Sequence, residues 1–275
     1  MFFQKLTLTI FPLLLASKSN IVLGQNRIIG GTETDISKFP FLLEISLHGI
    51  NHHPLCGAAI ISKSWAVSAS HCFMDIGEKL KIEMYQVVSG TTYTKEMITQ
   101  DKTPPKFYNI TEYHMHEKFG LDKSKGKLDG YDISVFKVTP EFEFNELTKP
   151  AKLPGKNQMA TTNKAKIAGW GCTKIGGSTN PILLYATLTK ASKSSCKNLY
   201  PDIKHRKSVL CYGTPKEHKG NVSNICQGDS GGPLVAGKNL VIGVVSMSKK
   251  AGAEFPGLFT STAYYRDWIK EKTGV

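Results

Sequence analysis

From Ile28 onward the chain is a train of short runs rich in β-branched and aromatic residues, among them "FLLEISLHG", "WAVSASH", "YDISVFKV", "KIAGWG" and "LVIGVVSM", separated by Gly, Pro, Asn and Lys clusters. Many short strands at such spacing predict an all-β barrel or sandwich. One helix is left for the end, where Tyr265, Trp268 and Ile269 fall at i, i+3 and i+4 after a Ser261/Thr262 start signal. "NELTKPAKLPGKNQ", residues 145–158, is polar and carries two prolines, which makes it the expected connector between two halves. The lysine-rich stretches Tyr93 to Tyr108 and His116 to Asp129 read as surface loops, and no internal repeat appears. At 275 residues and 40% hydrophobic content the chain can bury one large core or two modest ones, which excludes a disordered protein.

Residues 1–24 open with one cation, Lys5, and an apolar run from Leu6 to Ala16 too short to span a bilayer, so they read as a signal peptide cut after Gly24, with a cut near Ser17 or Ser19 as the alternative. No later stretch is apolar enough for a membrane anchor. Six cysteines in an exported chain suggest three disulfides, and the sequons at Asn109 and Asn221 fit the same compartment. The net charge of +13 falls to +10 once Lys5, Lys18 and Arg27 are removed with the first 27 residues. A basic, secreted, monomeric protein is expected, one that adheres to anionic surfaces or glycans and takes no nucleic acid as partner. The scatter of the lysines favours a solvated surface with no dedicated ligand over a specific polyanion site. Neither His52/His53 nor His114/His116 has Cys or acidic neighbours at a known ligand spacing, so no metal is expected there.

Three stretches carry chemistry. A serine hydroxyl is a poor nucleophile unless a base lies within hydrogen-bond reach and a third group holds that base in the right tautomer. "AVSASHC" puts His71 just after an apolar run, "DGYDISVF" puts Asp132 at the start of another, and "GDSGGP" puts Ser230 in a tight glycine loop. Glycines around Ser230 let backbone N–H groups point at a developing oxyanion, and Gly228 and Ser230 are the two expected donors. A fixed six-letter match of this kind arises by chance with a probability of roughly 10⁻⁴ or less.

With "RIIGG", "SASHC", "YDISVF", "AGWG", "CQGDSGGPL" and the final "YYRDWI", the chain resembles the trypsin/chymotrypsin family of serine proteases from Ile28 to the C-terminal helix. The resemblance implies two packed antiparallel β-barrels with a C-terminal helix over residues 28–275, and a cleft between the barrels. It implies His71 as general base and then acid, Asp132 as its orienting partner and Ser230 as nucleophile, with protein or peptide substrates and no cofactor or metal. Residues 25–27 become a short activation peptide, cut after Arg27 to free an α-ammonium on Ile28 that pairs with Asp229.

Six cysteines allow fifteen connectivities. The resemblance implies Cys56 with Cys72 and Cys196 with Cys211. Cys226 normally pairs with a cysteine in the stretch that here reads "SMSKKAGAEFPG", which has none, whereas Cys172 follows "GWG", where the family rarely has one. In related folds the segment after "GWG" runs beside the one before the serine, so Cys172 is expected to pair with Cys226. The family places the residue six before the serine at the floor of the specificity pocket, and Asn224 there disfavours Arg or Lys in the pocket, because burying a cation without a counter-ion costs several kcal/mol. Ile225, Ser246, Met247, Ser248 and Gly257 are the expected walls, and Ser246 and Ser248 are expected to offer main-chain groups to an extended substrate. An uncharged pocket implies cleavage after Tyr, Phe, Leu or Met, with smaller aliphatic residues as the alternative. The competing reading is a non-catalytic basic binding protein on a protease scaffold.

Overall fold

The computed structural model describes residues 28–48, 54–75, 78–120, 130–156, 158, 162–174, 176–203, 205–213, 223–248 and 255–275. The expected leader and activation peptide with Arg27, the His52/His53 pair, the Asn221 sequon and much of the His116 to Asp129 stretch lie outside these residues.

Six strands form a closed antiparallel barrel: β1 (Leu42–Leu47), β2 (Cys56–Ile60), β3 (Trp65–Ser68), β4 (Tyr85–Ser89), β5 (Lys106–Met115) and β6 (Ser134–Thr139). Round the ring they run β1-β2-β3-β6-β5-β4, closing from β4 back to β1. Six more form the second barrel: β7 (Lys164–Gly169), β8 (Leu184–Lys190), β9 (Val209–Gly213), β10 (Pro233–Ala236), β11 (Leu240–Met247) and β12 (Gly257–Ser261). Their order, β7-β8-β9-β12-β11-β10 and back to β7, is the same permutation. The architecture is thus the chymotrypsin-like pair of barrels. Closure pairs the strands of each ring on both sides, and the short strand Thr32–Glu33 adds to β8 outside the second ring.

Each barrel fills its own interior. One cluster, built around Leu43, Ile45, Val67, Phe73 and Val135, continues across the interface to Trp170, Val244 and Trp268; a second, with Ile28, Ile167, Leu188, Leu210 and Phe259, sits inside the second barrel. The stretch 145–156 runs between the two. Lys149 N donates to Pro40 O (2.9 Å) and Ala151 N to Ile60 O (2.8 Å) on one side, while Lys152 N donates to Asn239 O and Val241 N to Lys152 O (both 2.9 Å) on the other.

Three expectations need correction. The C-terminal helix α2 is Arg266–Thr273, not a helix opened by Ser261/Thr262: Ser261 ends β12, and the Thr262 hydroxyl donates to Val241 O (2.7 Å) rather than capping a helix. A second helix, α1 (Lys193–Leu199), precedes it in the chain; it shows no apolar stripe and is held instead by a Ser192 cap on Ser195 N and by the Cys196–Cys211 bridge. The polar stretch Tyr93 to Tyr108 is not all loop, because Lys106, Phe107 and Tyr108 begin β5, whose first part alternates with Tyr108 and Ile110 inward and Asn109 exposed.

Candidate active site

His71 lies in a 3₁₀ turn, Ser70–Phe73, at the exit of β3. Two neighbours fix that turn. Cys72 is bridged to Cys56 in β2, and Phe73 is fully buried in the first barrel, stacked on Tyr113 at 4.7 Å. Emptying such a core position costs about 3–5 kcal/mol, so the turn is firmly seated. Asp132 stands just before β6. Its segment is sewn to the His71 turn by two buried hydroxyls, Ser70 Oγ donating to Ile133 O (2.6 Å) and Ser134 Oγ donating to Ala69 O (2.9 Å).

The Asp132 carboxylate is 1% exposed and has three donors. His71 N donates to Oδ1 at 2.9 Å, His71 Nδ1 lies 2.8 Å from Oδ2, and Ser246 Oγ donates to Oδ2 at 2.7 Å. Burial opposes the anion, but the His71 ring, Ser246 and the His71 amide together hold its pKa below the usual carboxylate range. Burial likewise opposes the imidazolium, yet the adjacent carboxylate raises the His71 pKa above its ordinary value. With Nδ1–H committed to Asp132, the other ring nitrogen is the one free to accept a proton, and the His71 side chain keeps 32% of its surface exposed. Ser246 comes from β11, so the second barrel reaches across to orient a first-barrel carboxylate. The sequence reading placed Ser246 in the pocket wall and used its main chain, not its hydroxyl on Asp132, because a contact spanning 114 positions leaves no local signal.

Ser230 sits in a tight turn pressed against the first barrel. Gly57 N donates to Ser230 O (2.7 Å), and Gly231 N donates to Val245 O (2.8 Å). Gly231 has φ 72°, and a Cβ there would meet Ser68 Oγ, Gly57 O and Cys72 Sγ, the last at 3.0 Å. The serine turn therefore rests on the same disulfide that flanks His71. Among the described residues no hydrogen bond joins the Ser230 hydroxyl to the His71 ring; in substrate-free enzymes this contact is often long and tightens only with substrate. Gly228 has φ 93°, and a Cβ there would lie 2.9 Å from Thr179 Cγ2 and 3.1 Å from Gly171 Cα. Only glycine fits that backbone.

Asp229 is buried and accepts from two amides, Gly171 N to Oδ1 and Cys226 N to Oδ2, each at 2.9 Å. Burial outweighs these bonds and pushes its pKa up to about 7. Ile28, also fully buried, lies in the second-barrel core, and its nitrogen is a peptide amide in the intact chain.

Of the expected pocket residues, Asn224 is 1% exposed with both ends of its amide turned on backbone: Nδ2 donates to Phe255 O, and Oδ1 accepts from Ile225 N at 2.8 Å. Ile225 belongs to the second-barrel core, with Cγ1 3.0 Å from where a Cβ on Gly257 would sit. Met247 packs towards the small cluster of Tyr200, Ile203, Cys211 and Leu258, and Ser248 follows β11, half-buried. The three bridges are Cys56–Cys72, Cys172–Cys226 and Cys196–Cys211. Cys56, His71 and Cys72 present possible metal-ligand atoms within 4.8 Å of one another, but both sulfurs are spent in a disulfide, which leaves no thiolate to ligate. His114 stacks on Trp65 and meets Glu112, and His116 stacks on Tyr131, both packing roles.

The family profile described as Trypsin matches residues 28–269. Over 249 residues the chain is 32% identical to "Trypsin-1" of Astacus astacus, covering 88% of this chain and 98% of that protein. It is 29% identical over 257 residues to "Suppressor of tumorigenicity 14 protein homolog" of Bos taurus, 91% of this chain and 28% of that protein. It is 27% identical over 256 residues to "Coagulation factor XI" of Bos taurus, 90% of this chain and 38% of that protein.

Proposed function

The chain belongs to the trypsin family of serine proteases, and from that premise we propose that it is a secreted endopeptidase, made as a zymogen and activated by cleavage after Arg27. The observation that carries the catalytic part is the chain of groups from Ser246 through Asp132 to His71, set beside a glycine turn that bears Ser230. Ser230 Oγ attacks the scissile carbonyl carbon as His71 Nε2 takes its proton, and Asp132 stabilises the imidazolium that forms. The N–H groups of Gly228 and Ser230 hold the oxyanion, and losing one such donor typically costs about 2.7–4 kcal/mol of transition-state stabilisation. Collapse of the tetrahedral species expels the amine, which takes the proton from His71. Water then repeats the sequence on the acyl-enzyme, releasing the acid and restoring the serine.

Cutting after Arg27 turns the Ile28 amide into an ammonium that pairs with Asp229. The support is that a buried carboxylate has two amide donors and no cation among the described residues, and burial pushes its pKa up to about 7. The pair raises the α-amino pKa above its free value of about 8, so its stabilisation is present below that value and is lost as pH climbs through the raised one. The intact form is nearly inactive. If the Arg27→Gln protein turned over substrate as fast as the cut form, this switch would be wrong.

Asn224 supports an uncharged pocket taking Tyr, Phe, Leu or Met, since its amide satisfies backbone and brings no negative charge. Three disulfides support export, and the exposed Asn109 on β5 is an accessible glycan acceptor. A cavity of about 310 Å³ whose lining includes Lys190, Lys193, Arg206 and Lys207 supports adhesion to anionic surfaces or glycans; retention on sulfated agarose that salt does not weaken would count against this. Covalent labelling by a fluorophosphonate after cleavage at Arg27, followed by turnover of a peptide library, tests the whole reading. A cut protein that takes no label is a binding scaffold and no enzyme.

A further inference from the structure

The turn that carries Gly228 and Ser230 is fastened to the segment after Trp170 by three links, and braced within itself by a fourth contact, none of which uses the Ile28 nitrogen. The first is the Cys172–Cys226 bridge, 0% and 7% exposed at its two ends. The second is Cys172 N donating to Gln227 O at 2.8 Å. The third and fourth both end on Asp229, whose carboxylate accepts from Gly171 N, the residue just before one cysteine, and from Cys226 N, the other cysteine itself, each at 2.9 Å. Gly228 lies against this ring, close to Gly171 Cα. Bridge and carboxylate therefore span the same gap between the same two segments, one covalently and one through amides.

We propose that the Cys172–Cys226 bridge is a positioning element for the oxyanion turn: it holds the Gly171 and Cys226 amides where a single carboxylate can accept from both, so that the turn closes with less help from the Ile28 ammonium. This rests on the reading that cutting at Arg27 closes the turn through an Ile28–Asp229 ion pair. The bridge works by limiting how far the open turn can stray, which lowers the entropy lost on closing. The ammonium works by differential affinity for the closed state. The two contributions multiply in one closing equilibrium.

That coupling has a measurable sign. Activity disappears at alkaline pH as the ammonium deprotonates, and the midpoint of that loss lies above the free amine pKa by the logarithm of the closing constant. A tenfold weaker closing constant moves the midpoint down by about one pH unit. Apart from burial, the described groups acting on the Asp229 carboxyl are the Cys226 and Gly171 amides; Gly169 lies against it, and no other ionisable side chain among the described residues contributes. Ile28 itself is packed among apolar residues of the second-barrel core.

The test compares the cut parent with a cut Cys172→Ala/Cys226→Ala protein, reading kcat and KM for a peptide amide from neutral to strongly alkaline pH, with fluorophosphonate titration to count competent sites. The expected result is an alkaline midpoint lower by about one unit, with KM unchanged and kcat on the neutral plateau reduced much less than tenfold. A Cys172→Val/Cys226→Ala pair, which refills part of the space left by the sulfurs, serves if the alanine pair does not fold. An unmoved midpoint overturns the proposal even if the variant melts at a lower temperature, and so does failure of both pairs to fold, since the bridge is then only a staple for the chain. A cut parent with no alkaline loss overturns the ion-pair reading first and this proposal with it.

Discussion

Both barrels run their six strands round the ring in the same order, yet they hold their functional groups by different means. In the first barrel, His71 and Asp132 are fixed by contacts complete in the intact chain: a disulfide at Cys72, a buried Phe73, and the reciprocal Ser70 and Ser134 hydroxyl bonds. In the second barrel, the Ser230 turn depends on Asp229, a buried carboxylate with two amide donors whose pKa is pushed up to about 7. One half is finished when it folds. The other leaves an electrostatic debt that a new chain terminus can settle. A switch needs one element with two accessible states, and the activation proposed above would confine it to the half that bears Ser230 while His71 and Asp132 stay fixed.

The largest expected effect tests the rigid half. Asp132→Asn in the cut protein should lower kcat by about 10⁴-fold, because the imidazole is then held in the wrong tautomer, while KM for a peptide amide stays put. A loss of only a few fold would show that the first barrel does not set the base as described.

The next tests the other half through pH. The folded pKa of Asp229 is raised, so its contribution to stability is full below its unfolded value of 3.8 and is lost as pH rises through about 7. That loss is on the order of 4 kcal/mol in the intact chain. The cut chain escapes it for as long as Ile28 carries its charge. Urea midpoints of the two forms should therefore diverge from pH 5 to pH 8, the cut form being the more stable, and parallel curves would break the comparison.

A smaller effect sharpens the account of the pocket. Asn224→Ala strips the partners from Phe255 O and Ile225 N and should destabilise the protein by about 1–3 kcal/mol, visible as a lowered Tm. An unchanged Tm would mean that the amide serves substrate and not the fold.

The smallest effect concerns the second-barrel side chain that reaches Asp132. Ser246→Ala removes a donor from Asp132 Oδ2, leaving the carboxylate more basic and the imidazolium better stabilised. The acid limb of kcat/KM should then move up by less than about one unit, with little change on the plateau.

What the sequence discloses follows from how local each feature is. His71, Asp132 and Ser230 are each marked by their own neighbours, so three short stretches suffice to find them; the alternating runs suffice only for an all-β barrel or sandwich, and the pair of barrels follows from the family resemblance. The duplicated strand order is invisible in the chain because a barrel constrains only which residues face inward, and many side chains satisfy that. Helix α1 escapes notice because "KSSCKNL" has no apolar face and is pinned by its cap and bridge. Lys106 to Tyr108 reads as loop because the outward positions of an exposed strand are polar by necessity. The contact between Ser246 and Asp132 joins two barrels, and neither stretch advertises the other.

The belt formed by residues 145–156 has a bearing on diet. Because Lys149 and Ala151 are tied to one barrel and Lys152 to the other, the halves do not swing apart to engulf a bulky client. If the chain is the protease proposed above, its substrate is expected to bring a slack, extended loop to the cleft, and a well-folded neighbour to be spared until some part of it comes undone.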